Sequence, residues 1–218
     1  MNNRYNAIII TLSTFLFWSL ISLLEKGVSV TGFFLLKAIL ASLFSYTVFR
    51  FVVFSMKSIG NKVECLKKII LRNEYLAGKW IGYYIGASGK IRYFVETIEQ
   101  DFDNTSIRGI SYDENLKLHS TWTSDAVSID EKKGKMTHAY TSSGNNDGDE
   151  GIGLIVYTFI RDKRNQKVMK MNAFFTDLRH KKRIRSYEEK IEQKDYNENE
   201  LMIKAKELYE KQTAFNKR

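Results

Sequence analysis

The chain has 218 residues, with 34 Lys and Arg against 25 Asp and Glu for a net charge of +9, one cysteine, three histidines and no proline. Lone Cys65 excludes an intrachain disulfide, and no metal-ligand spacing links it with His119, His138 and His180. Without proline, turns fall to Gly, Asn, Asp and Ser.

Ala7 to Leu24 reads AIIITLSTFLFWSLISLL with no charge, and Val28 to Phe49 reads VSVTGFFLLKAILASLFSYTVF with one, Lys37. As helices these runs extend roughly 27 Å and roughly 33 Å, against a hydrocarbon core of about 30 Å. The expected element is a two-helix transmembrane hairpin, residues 5–54. A cleaved signal peptide is disfavoured, because the run is long, no small-x-small site closes it and a second run follows at once. Arg4 precedes the first run, while Arg50, Lys57, Lys62, Lys67, Lys68 and Arg72 follow the second. The positive-inside rule therefore puts both termini in the cytoplasm.

Residues 55–74 form a basic connector. Ile59, Val63, Leu66 and Ile70 follow helical spacing, with the lysines on other faces. Such a segment lies on anionic lipid, packs against its copy, or docks on its own domain.

Residues 75–185 read as a small antiparallel β-barrel. Strands are expected at Gly78–Ile85, Lys90–Gln100, Ser106–Tyr112, Lys117–Thr123, Ala126–Asp130, Lys135–Ser142, Gly153–Arg161 and Lys167–Thr176. The short breaks between them permit only antiparallel neighbours, and about eight such strands suggest an up-and-down barrel without edges. In the first strand Gly78, Trp80, Gly82 and Tyr84 share a face. Glycines alternating with large rings suit a barrel interior.

Residues 186–218 are read as a charged C-terminal helix, opened by Asn197 with Glu200 as a capping box and carrying Leu201, Ala205 and Leu208 at helical spacing. Just before it, Arg179, Lys181, Lys182, Arg183 and Arg185 form a basic run that is either solvated or binds phosphate.

No catalytic constellation is found, and the expectation is a protein that is not an enzyme and has no cofactor or bound metal. Gly86-Ala-Ser-Gly-Lys90 ends like a phosphate loop, but it lacks the first glycine and has Ile91 where Ser or Thr is needed. Asn145, Asp147 and Asp149 begin like a calcium loop, yet Glu150 and Val156 occupy the positions of the required Gly and Glu. What remains is a set of aromatic and basic residues able to stack on bases and pair with phosphates, Trp80, Tyr83, Tyr84, Arg92, Tyr93, Arg108, Tyr112, Trp122, Tyr140 and Tyr157, of which Trp80, Tyr84, Arg92, Tyr93, Arg108, Trp122 and Tyr157 are the ligand-binding candidates.

Two transmembrane helices, a basic connector and a barrel opening with Gly78-x-Trp80-x-Gly82-x-Tyr84 resemble the SMODS-associated two-transmembrane β-barrel effectors of CBASS antiphage defence. The resemblance implies a STING-like receptor in the bacterial inner membrane. Its barrel would bind a cyclic dinucleotide made by a companion CD-NTase-type nucleotidyltransferase. Binding would drive homo-oligomerisation, disruption of the bilayer and death of the infected cell, with no DNA or RNA polymer as partner.

In this scheme Trp80, Tyr84, Trp122 and Tyr157 stack, with Tyr93 beside them, and Arg92 or Arg108 meets phosphate. Lys37 either forms a polar seam in the assembled state or snorkels to the outer surface. Gly-x-Trp opening a barrel is also similar to lipocalins, which leaves a membrane-tethered barrel for a lipid or other apolar ligand as the alternative.

Overall fold

The structure, a computed structural model, describes residues 3–27, 34–144, 150–178, 183–192 and 195–215, with side chains along the first two helices at 6–19, 21, 22 and 43–60. Residues 28–33 of the expected second span, the side chain of Lys37, the loop residues Asn145, Asp147 and Asp149, and Arg179, Lys181 and Lys182 lie outside these.

Two compact units emerge. The first holds α1 (Asn3–Gly27), α2 (Phe34–Gly60) and α3 (Glu64–Leu71), together with residues 101–103. Among the described residues no helix is long and apolar enough to cross a membrane. Helices α1 and α2 pack together, burying Ile9, Ser13 and Val52, while Ile10, Phe15, Trp18, Leu43, Phe51 and Phe54 stay exposed.

The connector is not one amphipathic helix. Helix α2 runs on through its first residues and ends at Gly60, where the ring of Phe102 occupies the space that a Cβ would need. Its cations are partly neutralised, Lys67 by Asp101 at 3.3 Å and Lys68 by Glu64 at 2.9 Å, while Lys57 at the end of α2 meets Asp103 at 2.5 Å.

The second unit is a closed antiparallel barrel of eight strands in sequential order: β1 (Gly78–Ile85), β2 (Ile91–Gln100), β3 (Thr105–Tyr112), β4 (Leu118–Asp130), β5 (Lys135–Gly144), β6 (Glu150–Arg161), β7 (Val168–Asp177) and β8 (Arg183–Ile191). Pairing of β1 with β8 closes it, with Tyr83 opposite Tyr187. Two expectations change. Lys117–Thr123 and Ala126–Asp130 are one strand, β4, bent at a bulge between Ser124 and Ala126. The eighth strand is Arg183–Ile191, taken from what read as basic run and tail.

Turns without proline are built as their composition requires. Asp113 Oδ1 accepts the amides of Asn115 and Lys117 at 2.8 and 2.9 Å, and Asp162 Oδ1 accepts that of Arg164 at 2.7 Å.

Helix α4 (Glu198–Phe215) lies on the outside of β1 and β2. The capping box forms in both directions, Glu200 N donating to Asn197 Oδ1 and Asn197 N to Glu200 Oε2. Leu201, Met202, Ala205 and Leu208 pack on Ile81, Tyr93 and Val95. At about 1.5–3 kcal/mol for each large side chain removed from water, this face holds the helix in place.

Inside the barrel, one half is a dry core of Leu76, Trp80, Ile98, Ile107, Met136, Val168 and Met171. Trp80 is fully buried and donates its indole N–H to Leu76 O at 2.9 Å. The other half is hollow.

Candidate functional site

The hollow is a cavity of about 650 Å³, inside the range of roughly 300–1,000 Å³ usual for small-molecule sites. It reaches the β1–β2 turn at Ala87 and Ser88, and its walls are Tyr84, Phe94, Trp122, Tyr140, Tyr157 and Phe175. Edge-to-face contacts fix these rings: Tyr84 on Phe175 at 4.9 Å and Phe94 on Trp122 at 5.8 Å.

Glycines opposite the rings make them fit. A Cβ on Gly109 would lie 2.0 Å from the indole of Trp122, and one on Gly153 would lie 2.4 Å from the ring of Tyr140.

The floor is polar. Glu96 and Glu188, each 1% exposed, line the cavity and hydrogen-bond to each other. Trp122 Nε1 donates to Glu96 Oε1 at 3.0 Å, and the Tyr157 hydroxyl sits 2.9 and 3.1 Å from the two Glu96 oxygens. The same hydroxyl lies 3.0 Å from His138 Nε2, and His138 Nδ1 lies 3.1 Å from Ala139 O.

Counting protons assigns this chain. A carbonyl only accepts, so His138 Nδ1 carries the hydrogen and Nε2 of the neutral ring can accept from Tyr157. Tyr157 has one proton and donates it toward the Glu96 carboxylate; once Glu96 is protonated, the carboxylic acid can donate to Tyr157 instead and free that proton for His138. The energetics agree. Burial, partly opposed by hydrogen bonds from Tyr157 and Trp122, pushes Glu96 up to about 7, and burial lowers His138 to about 4. Burial, and next the Glu96 charge, raises Glu188 well above the usual carboxyl range.

Of the residues expected from the sequence, Tyr84, Trp122 and Tyr157 come together in the cavity. Arg92 shares the inward face of β2 with Phe94 and Glu96, opposite Tyr84, whose pKa burial raises and the Arg92 charge opposes. Trp80 belongs to the dry core. Tyr93 faces outward beneath α4, against Tyr209. Arg108 is exposed and paired with Glu99.

Sequence reasoning passed over Glu96, Glu188 and His138. A signal existed in β2, where Glu96 interrupts the inward series Phe94, Ile98 with a charge. Among the described residues no group of His, Cys, Asp and Glu could hold a metal ion. No family model, curated protein or solved structure matches this chain.

Proposed function

We propose that this chain is a membrane-anchored receptor whose barrel binds a cyclic dinucleotide, and that it acts as an effector of a CBASS-type antiphage system. The observation that carries the reading is the aromatic-walled cavity with a hydrogen-bonding floor and Arg92 on the same inward strand face. A base slides between ring faces there, a carboxyl group accepts from its edge, and the phosphates stay toward Arg92. No Lys or Arg lines the cavity among the described residues, so the phosphates are assigned to its mouth.

The membrane role draws support from the first unit. Phe15, Trp18, Phe51 and Phe54 are 69, 66, 66 and 69% exposed, large apolar groups that water alone does not favour. The hydroxyls of Thr11, Thr14, Ser19 and Thr47 each donate to the carbonyl four residues back, which satisfies them without water. In this reading the helices cross the bacterial inner membrane with both termini cytoplasmic. The liganded state favours association of copies, which concentrates the helices and disrupts the bilayer, and a CD-NTase-type enzyme supplies the ligand.

Calorimetric titration of the full chain in nanodiscs with a panel of cyclic dinucleotides tests this. Saturable binding, abolished in Trp122→Ala and weakened in Arg92→Ala, is the expected result; absence of binding by the whole panel overturns it. The cation-free lining also fits an apolar ligand. Acyl chains copurifying with the protein, and no nucleotide binding, would establish that lipocalin-like reading instead.

A further inference from the structure

The outer wall of the barrel carries apolar residues in two places. Ile81, Tyr93 and Val95 on β1 and β2 lie beneath α4. The outward row of β6 reads Ile152, Leu154, Val156, Thr158 and Ile160, where alternation ordinarily places polar groups. Ile152 and, just after β7, Leu178 are 50 and 60% exposed, Leu154 and Ile160 are exposed as well, and no helix packs over β6 or β7 among the described residues.

Strand register sets cations beside this row. Leu154 pairs with Thr176 and Thr176 with Arg183, while Val156 pairs with Phe174 and Phe174 with Arg185. Leu178 N donates to Ile152 O at 3.0 Å, which continues the apolar row at the rim. The guanidinium of Arg183 lies 3.9 Å from the centre of the Phe174 ring and that of Arg185 lies 5.2 Å from it. Among the described residues neither arginine is paired with a carboxylate. Glu189 is taken by Lys170 at 2.6 Å and Tyr187 at 2.8 Å, and Glu150 stands at the start of β6. Stacking holds a guanidinium at the surface without neutralising it, and its N–H fork still fits phosphate.

Exposed aliphatic groups need an apolar partner, and unpaired arginines beside them need anions. A bilayer surface with anionic lipids supplies both. A second copy meeting this face would bring two more unpaired arginines against the first two, and like charges repel. A soluble polyanion would leave the aliphatic row in water.

We infer that the outer face of β6 to β8 is a docking surface for anionic lipid, with the aliphatic row in the boundary between headgroups and acyl chains and Arg183 and Arg185 on lipid phosphates. This contact is additional to the helices proposed above to cross the bilayer, and it fixes how the tethered barrel lies on the membrane.

The test uses the full chain with Cys65→Ser, reconstituted in vesicles that contain nitroxide-bearing lipid. A single fluorescent label is placed at Leu178→Cys, at Thr121→Cys on the outer face of β4, or at Trp18→Cys on α1. In vesicles rich in phosphatidylglycerol, nitroxide should quench the Leu178 label about twofold more than the Thr121 label, and the difference should vanish in phosphatidylcholine alone. At about fivefold in the docked population for each arginine, Arg183→Gln combined with Arg185→Gln should remove it too.

Equal quenching at Leu178 and Thr121, or quenching at Leu178 indifferent to phosphatidylglycerol and to the arginines, overturns the inference. So does a Leu178 label shielded without quenching and only at high protein-to-lipid ratio, which assigns the face to a second copy. The Trp18 label reads the helices separately. Its escape from quenching sinks the transmembrane reading, while strong quenching of Leu178 on the same vesicles still upholds docking of the barrel.

Discussion

The two halves of the barrel interior are built on the same inward-facing alternation and end in opposite states. Toward the start of β1, Trp80, Ile98, Ile107, Met136 and Met171 fill the space with apolar atoms, and the indole N–H of Trp80 closes on a neighbouring backbone carbonyl. Toward the end of β1, the same faces carry Tyr84, Phe94, Glu96, Trp122 and Glu188 around a cavity. The filled half contributes stability. The hollow half carries buried carboxyl groups whose desolvation neighbouring side chains only partly offset, which costs stability.

The sharpest test of this contrast uses one residue type in both halves. Trp80→Ala should cost about 3–5 kcal/mol in denaturant unfolding, as expected for a filled core site. Trp122→Ala, whose ring borders an existing hollow, should cost about half of that or less and abolish ligand binding. Equal costs would mean that the two halves are packed alike.

Acidity separates the halves next. Glu96, raised to about 7, contributes stability that is complete below its unfolded value near 4.5 and is lost as pH rises through 7, on the order of 3 kcal/mol. Glu188, raised as well, adds to that loss. His138, lowered to about 4, works the other way: its contribution is complete above 6.5 and is lost as pH falls toward 4. Melting temperature should therefore drop as pH rises through 7, and the drop should begin nearer pH 4.5 and become larger in His138→Phe. Glu96→Gln should flatten it. A wild-type profile without any fall between pH 6 and 8 (about one unit either side of the Glu96 value) would refute the buried-acid assignment.

Gly109→Ala places a methyl group on the indole of Trp122 and should cost about 1–3 kcal/mol by thermal unfolding, with weaker ligand binding as the ring is displaced. An unchanged melting temperature would show that the wall yields. At the small end, Arg108→Ala removes an exposed pair with Glu99 and should change stability by less than about 1 kcal/mol and leave ligand affinity unaltered. A loss of affinity there would move the phosphate contact to the outer surface.

Much of the fold was legible in the residues alone. The glycine and aromatic alternation of Gly78, Trp80, Gly82 and Tyr84 identified an inward face, short turns required antiparallel neighbours, and Asn197 with Glu200 announced α4. Strand β8 escaped because its inward series, Ile184, Ser186, Glu188, Lys190, is mostly polar. A strand that faces a cavity rather than a core lacks the apolar alternation by which strands are recognised. The bulge in β4 hid one strand as two for a related reason: an extra residue inverts the alternation halfway.

The site divided in the same manner. Sequence composition pointed to aromatic and cationic residues, and three of the rings, Tyr84, Trp122 and Tyr157, do share the cavity. Only closure of the barrel decided that Tyr93 and Arg108 face outward, that Trp80 is sealed in the core, and that Glu96 and Glu188 meet although 92 positions separate 96 from 188. Local patterning determines which residues alternate and where the chain turns, because those depend on neighbours a few positions apart. Which two carboxyl groups share a hydrogen bond depends on strand register summed around the whole barrel, and that exists only once β8 has paired with β1.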